Sequence, residues 1–196
     1  MPNRAALSNA LRQSIDNNTP IAVALLDIDG FADINAEFGQ NVGDIVLRSL
    51  ANLLADLAPE RVFHLSGDEF AVALPGRSLE QAFLQMESLR QAVHAFDFSL
   101  PDGRKLAVTI GVAQFPRDAK DARTVQQAAD AALASAKEGG RNQVALPPNE
   151  EMVMKSCYYP ASSVRRLKQF AERLARKEST LLREALDDLF RKYDVP

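Results

Sequence analysis

Apolar residues at Leu7, Leu11 and Ile15 recur every fourth position and predict a helix over residues 4–17. Ile21 to Leu26 is a continuous apolar run, which fits a strand buried on both faces, and it ends in DIDGF. Helical spacing returns with Phe31, Ile34 and Phe38, is interrupted by Gly39 and Gly43, and resumes with Leu47, Leu50, Leu54 and Leu57 until Pro59 ends it. VFHLSGDEFAVALPG, residues 62–76, reads as two strands joined at Ser66-Gly67-Asp68-Glu69, because glycine beside aspartate suits a hairpin turn. Ser78 can cap a helix carrying Leu79, Phe83, Met86, Leu89 and Val93. KLAVTIGVAQF is a further strand, residues 122–137 are an alanine-rich helix closed by Gly139-Gly140, and RNQVAL is a short strand. This order predicts an α/β sandwich, helices packed on a mixed central sheet, over residues 1–146.

PPNEE, residues 147–151, reads as a linker. The segment 152–196 begins with a predicted strand over 153–159 that Pro160 ends. Ser162 or Ser163 can then cap a helix with Val164, Leu167, Phe170, Ala171 and Leu174 on one face. A second helix, from Ser179, carries Leu181, Leu182, Ala185, Leu186, Leu189 and Phe190. So short a segment cannot bury much surface alone, and its apolar faces call for a partner.

Composition sharpens the two-part reading. Apolar residues make up 46% of the 196, enough for a substantial core. One cysteine, Cys157, excludes a disulfide framework and points to a reducing compartment. No apolar run approaches the roughly 18 residues of a bilayer span. The opening MPNRAALSNALRQS lacks the apolar centre of a secretory signal, so a soluble cytoplasmic protein is expected. The net charge of −3 conceals an asymmetry: residues 1–151 hold 13 Lys and Arg against 20 Asp and Glu, and residues 152–196 hold 10 against 6. An acidic body with a basic tail suggests two modules with different partners, although a solvated basic helix face gives the same count.

The candidate chemistry lies in carboxylates. Asp27 stands at the end of the first strand with Asp29 two residues on, and Asp68 and Glu69 sit at the hairpin tip. If the hairpin lies beside the first strand, Asp27 and Asp68 converge. With a strand-end carbonyl they make a hard oxygen site suited to magnesium, which usually works beside phosphates. Lys137 and Arg141 bracket Gly139-Gly140 and can neutralise phosphate, although Lys137 taken alone reads first as a cation complementing a helix C-terminus. His64 and His94, the only histidines, are expected to be structural.

PNRAAL, LLDIDGFADINAEFGQNVGDIVL, SGDEF, VTIGVA and AADAALASAKEGGRNQV stand in order at natural spacings, and together the first 146 residues resemble the GGDEF domain of diguanylate cyclases. The resemblance implies the cyclase and polymerase palm-type fold and conversion of two GTP to cyclic di-GMP. It implies that Asp27, Asp68 and the Ile28 carbonyl hold Mg2+ (or Mn2+), with Asp68 and Glu69 catalytic. It implies that Asn35 and Asp44 read guanine, that Lys137 and Arg141 bind phosphate, and that Phe31 and Gly67 line the nucleotide. Departures stand beside it. Ser66 replaces the first glycine of the signature, His64 and Leu65 replace a frequent arginine and tyrosine, and Ala32 and Ala36 replace a frequent lysine and aspartate. Leu57-Ala58-Pro59-Glu60 occupies the place of the inhibitory RxxD product site, so feedback through that site is not expected. The alternative is a regulator that senses nucleotide without turnover.

The tail resembles a ribbon-helix-helix domain in its strand–proline–helix start and in STLLREAL, with Ala175 where that family often has glycine. The resemblance implies a homodimer whose paired strands enter the major groove of duplex DNA. It implies that Met154, Ser156 and Tyr158 face bases, opposite an inward Cys157 and Tyr159, that Lys155 reaches phosphate, and that the helix start at Ser179 binds phosphate through backbone amides. A dimerisation module that touches no DNA is the other reading.

Overall fold

The computed structural model describes residues 1–58, 61–147, 158–174 and 176–193. The chain divides into two compact units, Met1–Glu150 and Glu151–Pro196.

The first unit runs α1 (Arg4–Asp16), β1 (Ile21–Ile28), α2 (Phe31–Phe38), α3 (Gln40–Leu57), β2 (Val62–Ser66), β3 (Glu69–Pro75), α4 (Leu79–Ala95), β4 (Val108–Phe115), α5 (Ala122–Glu138) and β5 (Val144–Ala145). The five strands form one sheet in the order β2-β3-β1-β4-β5. β1 is central and antiparallel to both β3 and β4. β2 pairs antiparallel with β3, and β5 is parallel to β4. This is the mixed α/β sandwich that the apolar pattern predicts.

The unbroken apolar run of β1 has a direct cause. Strand side chains alternate between faces. Ala22, Ala24, Leu26 and Ile28 join Ile34, Val46, Leu50, Leu54, Met86 and Val93 of α2, α3 and α4 in one core. Ile21, Val23 and Leu25 join Leu7 and Leu11 of α1 and Val125, Ala129 and Leu133 of α5 in the other. The helix starts are fixed locally. Asn3 accepts from the Ala6 amide at the start of α1, Ser78 and Gln81 form a capping box on α4, and Asp121 with Thr124 does the same for α5.

Between β2 and β3 only Gly67 and Asp68 form the turn, with a register shift between His64 and Ser66. Gly67 holds φ 45°, a left-handed value that favours glycine. Helix α3 ends at Leu57; Pro59 and Glu60 lie outside the described residues, so the stop assigned to Pro59 and half of the RxxD comparison fall there too.

In the second unit α6 covers Ala161–Arg173 and α7 covers Glu178–Lys192. Arg176 Nη1 meets Glu184 Oε2 at 2.6 Å. The serine caps expected for α6 are not found. Pro160 is the residue before the helix, at φ −54° and ψ 139°, and no side chain caps it. Its ring fixes φ while ψ stays extended, so the helix begins at Ala161 and takes Ser162 and Ser163 into its first turn. Ser179 likewise lies in the first turn of α7. Tyr158 and Tyr159 belong to no strand and both are exposed, so the inward–outward alternation expected there fails at its described end. Met154, Lys155, Ser156 and Cys157 lie outside the described residues.

Candidate active site

The site forms where the carboxyl end of β1 meets the β2–β3 turn. In the sheet register Asp27 lies between Glu69 on β3 and Thr109 on β4. Burial is the largest effect on the Asp27 carboxyl and pushes its pKa up. A hydrogen bond and charge from Lys137 pull it back, and the charges of Asp68 and Asp29 push it further up. Asp27 and Asp68 therefore do converge, as the sequence predicts. Lys137, in the last turn of α5, places Nζ 2.7 Å from Asp27 Oδ2. Its ammonium faces the carboxylate across the sheet end and does more than complement a helix terminus.

The donor chemistry fits a hard dication. Asp27 and Asp68 offer paired oxygens, and a half-buried carboxyl that is costly to ionise gains most from a cation beside it. Among the described residues no three His, Cys, Asp or Glu side chains are grouped to hold a metal by themselves. Completing such a site takes backbone oxygen, for which the Ile28 carbonyl is the candidate, together with phosphate or water.

Glu69 is held from two sides. Arg4 Nη2 lies 3.1 Å from Glu69 Oε2, and Ser66 Oγ donates to the same oxygen at 3.0 Å. Ser66 thus adds a hydroxyl contact to the carboxylate that a glycine could not make. His64 Nε2 lies 2.8 Å from the Gly67 carbonyl and its ring packs at 4.9 Å on Phe70, which braces the turn from beneath. His94 Nδ1 is 3.2 Å from the Leu106 carbonyl. Both histidines are engaged with backbone.

A third wall comes from α2 and α3. Gly43 lies inside α3 and is not the break its sequence position suggests. A Cβ built there would stand 2.0 Å from Asn35 Oδ1 and 3.2 Å from Phe31 Cζ. The missing side chain lets α2 lie close on α3, and it brings Asn35 and Phe31 beside the helix turn that carries Asp44. Asp44 is exposed, and its carbonyl accepts from Arg48 Nε at 3.1 Å.

The fourth element is the turn after α5. Arg141 is exposed and holds φ 61°, and Asn142 holds φ 45°. Sequence reasoning missed Arg4, Gly43, Thr109 and Asn142. Arg4 and Asn142 stand within the PNRAAL and GGRN blocks and were open to notice; Thr109 carries no signal of its own.

Residues 1–143 match the family model described as diguanylate cyclase, GGDEF domain. The chain belongs to the GGDEF family. Among solved structures, the GGDEF domain of YfiN (TpbB) from Pseudomonas aeruginosa is 30% identical with a TM-score of 0.69, over 75% of this chain and 96% of that one. An active GGEEF domain of a diguanylate cyclase from Vibrio cholerae is 27% identical with a TM-score of 0.69, over 76% of this chain and 99% of that one. The GGDEF domain of DgcB from Caulobacter crescentus, in complex with c-di-GMP, is 30% identical with a TM-score of 0.66, over 73% of this chain and 89% of that one. An uncharacterized membrane protein of Staphylococcus saprophyticus is 38% identical over 147 residues, 72% of this chain and 41% of the relative. A counterpart from Staphylococcus haemolyticus is 38% identical over 138 residues, 68% of this chain and 39% of the relative. The GGDEF chain thus spans about two fifths of the length of these relatives. The expectation of a cytoplasmic protein does not stand, because these relatives are named membrane proteins. No helix among the described residues is long and apolar enough to cross a membrane.

Proposed function

We propose that this GGDEF protein is a diguanylate cyclase that condenses two GTP into cyclic di-GMP. The observation that supports it best is the meeting of Asp27, Asp68 and Lys137 at one end of the sheet. In the proposed reaction the 3′-hydroxyl of each GTP attacks the α-phosphorus of the other. One O–P bond forms and one P–O bond breaks at each centre, and two pyrophosphates leave. Asp27, Asp68 and the Ile28 carbonyl would hold Mg2+ (or Mn2+), which when bound neutralises the triphosphate and polarises the α-phosphate.

The chain's own groups supply the rest. Glu69 takes the proton of the attacking hydroxyl, and Arg4 and Ser66 hold its Oε2 in place. Lys137, whose Nζ lies 2.7 Å from Asp27 Oδ2, would pair with phosphate, and Arg141 would add the second cation. Asn35 and Asp44 pair with the guanine edge, an amide and a carboxylate against its O6, N1–H and N2–H. Phe31 packs beside Asn35, and Gly67 leaves room over the turn.

The reaction needs two copies of the site, one nucleotide each. The second unit supports a homodimer. Among its described residues Ala171 and Leu181 are the buried apolar side chains, while Val164, Phe170, Leu182, Leu186, Leu189 and Phe190 are exposed. Its basic excess suits duplex DNA as a partner of that dimer, with Tyr158 and Ser179, together with Met154, Lys155 and Ser156 outside the described residues, as contacts, and salt-dependent binding of a duplex by the full chain is the check.

A second reading, a nucleotide sensor without turnover, is favoured by Ser66, whose hydroxyl occupies Glu69 Oε2 at the place where the signature has a glycine. Incubation with GTP and Mg2+, with product identified by mass, separates the two. Asp68→Ala and Glu69→Gln should each remove product. GTP binding by a wild-type protein that yields no cyclic dinucleotide would establish the sensor.

A further inference from the structure

Asp29 stands two residues after Asp27, and both of its oxygens are committed elsewhere. Thr109 Oγ1 donates to Oδ1 at 2.6 Å. The Asn142 N–H donates to Oδ2 at 3.0 Å and is shared with Thr109 Oγ1 at 3.0 Å. The Asp29 N–H donates to the Ala107 carbonyl at 3.0 Å. From the far side, Arg90 Nη1 donates to Asn142 Oδ1 at 2.7 Å, and Glu87 grips Arg90 with both oxygens, at 3.0 and 2.5 Å. Thr109 is fully buried, so its hydroxyl has no water to turn to.

These bonds converge on a turn that does not hold itself. Arg141 and Asn142 both sit at positive φ, 61° and 45°, where a residue with a Cβ costs on the order of 1 kcal/mol or more. Such a conformation persists only where its surroundings impose it. The Arg141 amide reaches back to the Ala136 carbonyl at 3.0 Å, and the Asn142 amide is held by Asp29 and Thr109.

We infer that Asp29 is a positioning residue: it ties the turn carrying Arg141 to the end of β1 carrying Asp27, and so sets the reach of the phosphate-binding cation from the carboxylate pair. The inference rests on the proposed nucleoside triphosphate site. A carboxylate is required because two donors face it. An asparagine there keeps one oxygen and sets its own N–H2 against the other donor, leaving the Asn142 amide with the Thr109 hydroxyl alone and untied from β1.

The test uses the full chain and GTP with Mg2+ in a binding titration of wild type, Asp29→Asn, Arg141→Ala and the double variant. Asp29→Asn should weaken GTP about tenfold, the loss typical of a charge-assisted hydrogen bond. In the Arg141→Ala background the same change should cost less than about twofold, because two residues acting through one contact are not additive. A full tenfold loss in both backgrounds would overturn the inference, as would unchanged affinity in Asp29→Asn. If Asp29→Asn fails to fold, Thr109→Val, which removes the shared hydroxyl, should give a smaller loss with the same dependence on Arg141. Amide exchange at Asn142, measured without nucleotide, should quicken in either variant, and unchanged exchange would overturn the clamp. A wild type that binds no GTP, with the quickening still seen in the variants, would instead defeat the proposed function and leave the clamp standing.

Discussion

The two units of this GGDEF protein solve the burial of apolar surface in opposite ways. The first wraps a sheet between two helix layers, and its largest apolar side chains, Leu26, Leu50, Leu54, Phe70 and Met86 among them, lie at or near zero exposure. The second has two amphipathic helices of 13 and 15 residues and leaves Phe170, Leu174, Leu186, Leu189 and Phe190 each more than two fifths exposed. A chain of that size cannot close a core around two helices. The first unit carries its stability within itself, and on the proposed reading the second draws it from assembly. The functional reading follows the same division, with the chemistry on the self-contained sheet and the pairing of copies on the open helices.

A matched pair of truncations tests this directly. Leu26→Ala, at a side chain 1% exposed between β1 and its helices, should cost about 3–5 kcal/mol at any protein concentration. Leu189→Ala, at a side chain 47% exposed, should cost less than about 0.5 kcal/mol in the monomer, as surface changes do. In the assembled dimer it should cost about 2 kcal/mol, seen as weaker self-association in sedimentation and a melting midpoint that depends on concentration. Equal effects of Leu189→Ala at high and low concentration would remove the contrast between the units.

Gly43→Ala probes the first unit more finely. Two effects oppose each other. Alanine in place of glycine inside α3 gains about 1 kcal/mol of helix propensity, and overpacking costs about 1–3 kcal/mol. The net change in stability should be a loss of only about 1 kcal/mol. The nearest atom, however, is Asn35 Oδ1 at 2.0 Å, and a side chain that short can clear the new methyl only by rotating away. Discrimination of GTP from ATP should therefore fall much further than the melting midpoint, and a variant that melts lower while keeping full guanine preference would separate Asn35 from base reading.

Most of the fold was legible because burial writes itself into sequence. β1 is covered on both faces and reads as an unbroken apolar run, and α4 announces its start with Ser78 and Gln81. The carboxylates were legible too, since Asp27 and Asp68 stand at strand ends where core packing has no use for charge. What spacing could not give is the pairing across distance. Arg4 meets Glu69 over 65 positions, and Asn142 meets Asp29 over 113. Gly43 misled because a missing side chain marks either a turn or a close approach, and only the neighbouring helix decides which. The start of α6 misled for a related reason: Ser162 and Ser163 can cap a helix, but Pro160 had already set its first turn.

The smallest expected effect lies on the acidic face of the first unit. Asp130, on α5, has its carboxyl pKa raised, by burial first and by the charge of Glu69, with Arg4 pulling the other way. A carboxyl whose folded pKa exceeds its unfolded value of about 4 contributes stability fully present below that value. That contribution is lost as pH climbs through the folded pKa, so at neutral pH the ionised Asp130 weighs against the fold. The residue as a whole is exposed, so solvent screens the effect and it should be small. Asp130→Asn should raise the melting midpoint slightly at pH 7, and the gain should shrink or reverse near pH 4. Glu69→Gln, by removing the neighbouring charge, should take away part of the gain. A gain of the same size at both pH values would mean that the asparagine acts through packing rather than through the lost charge.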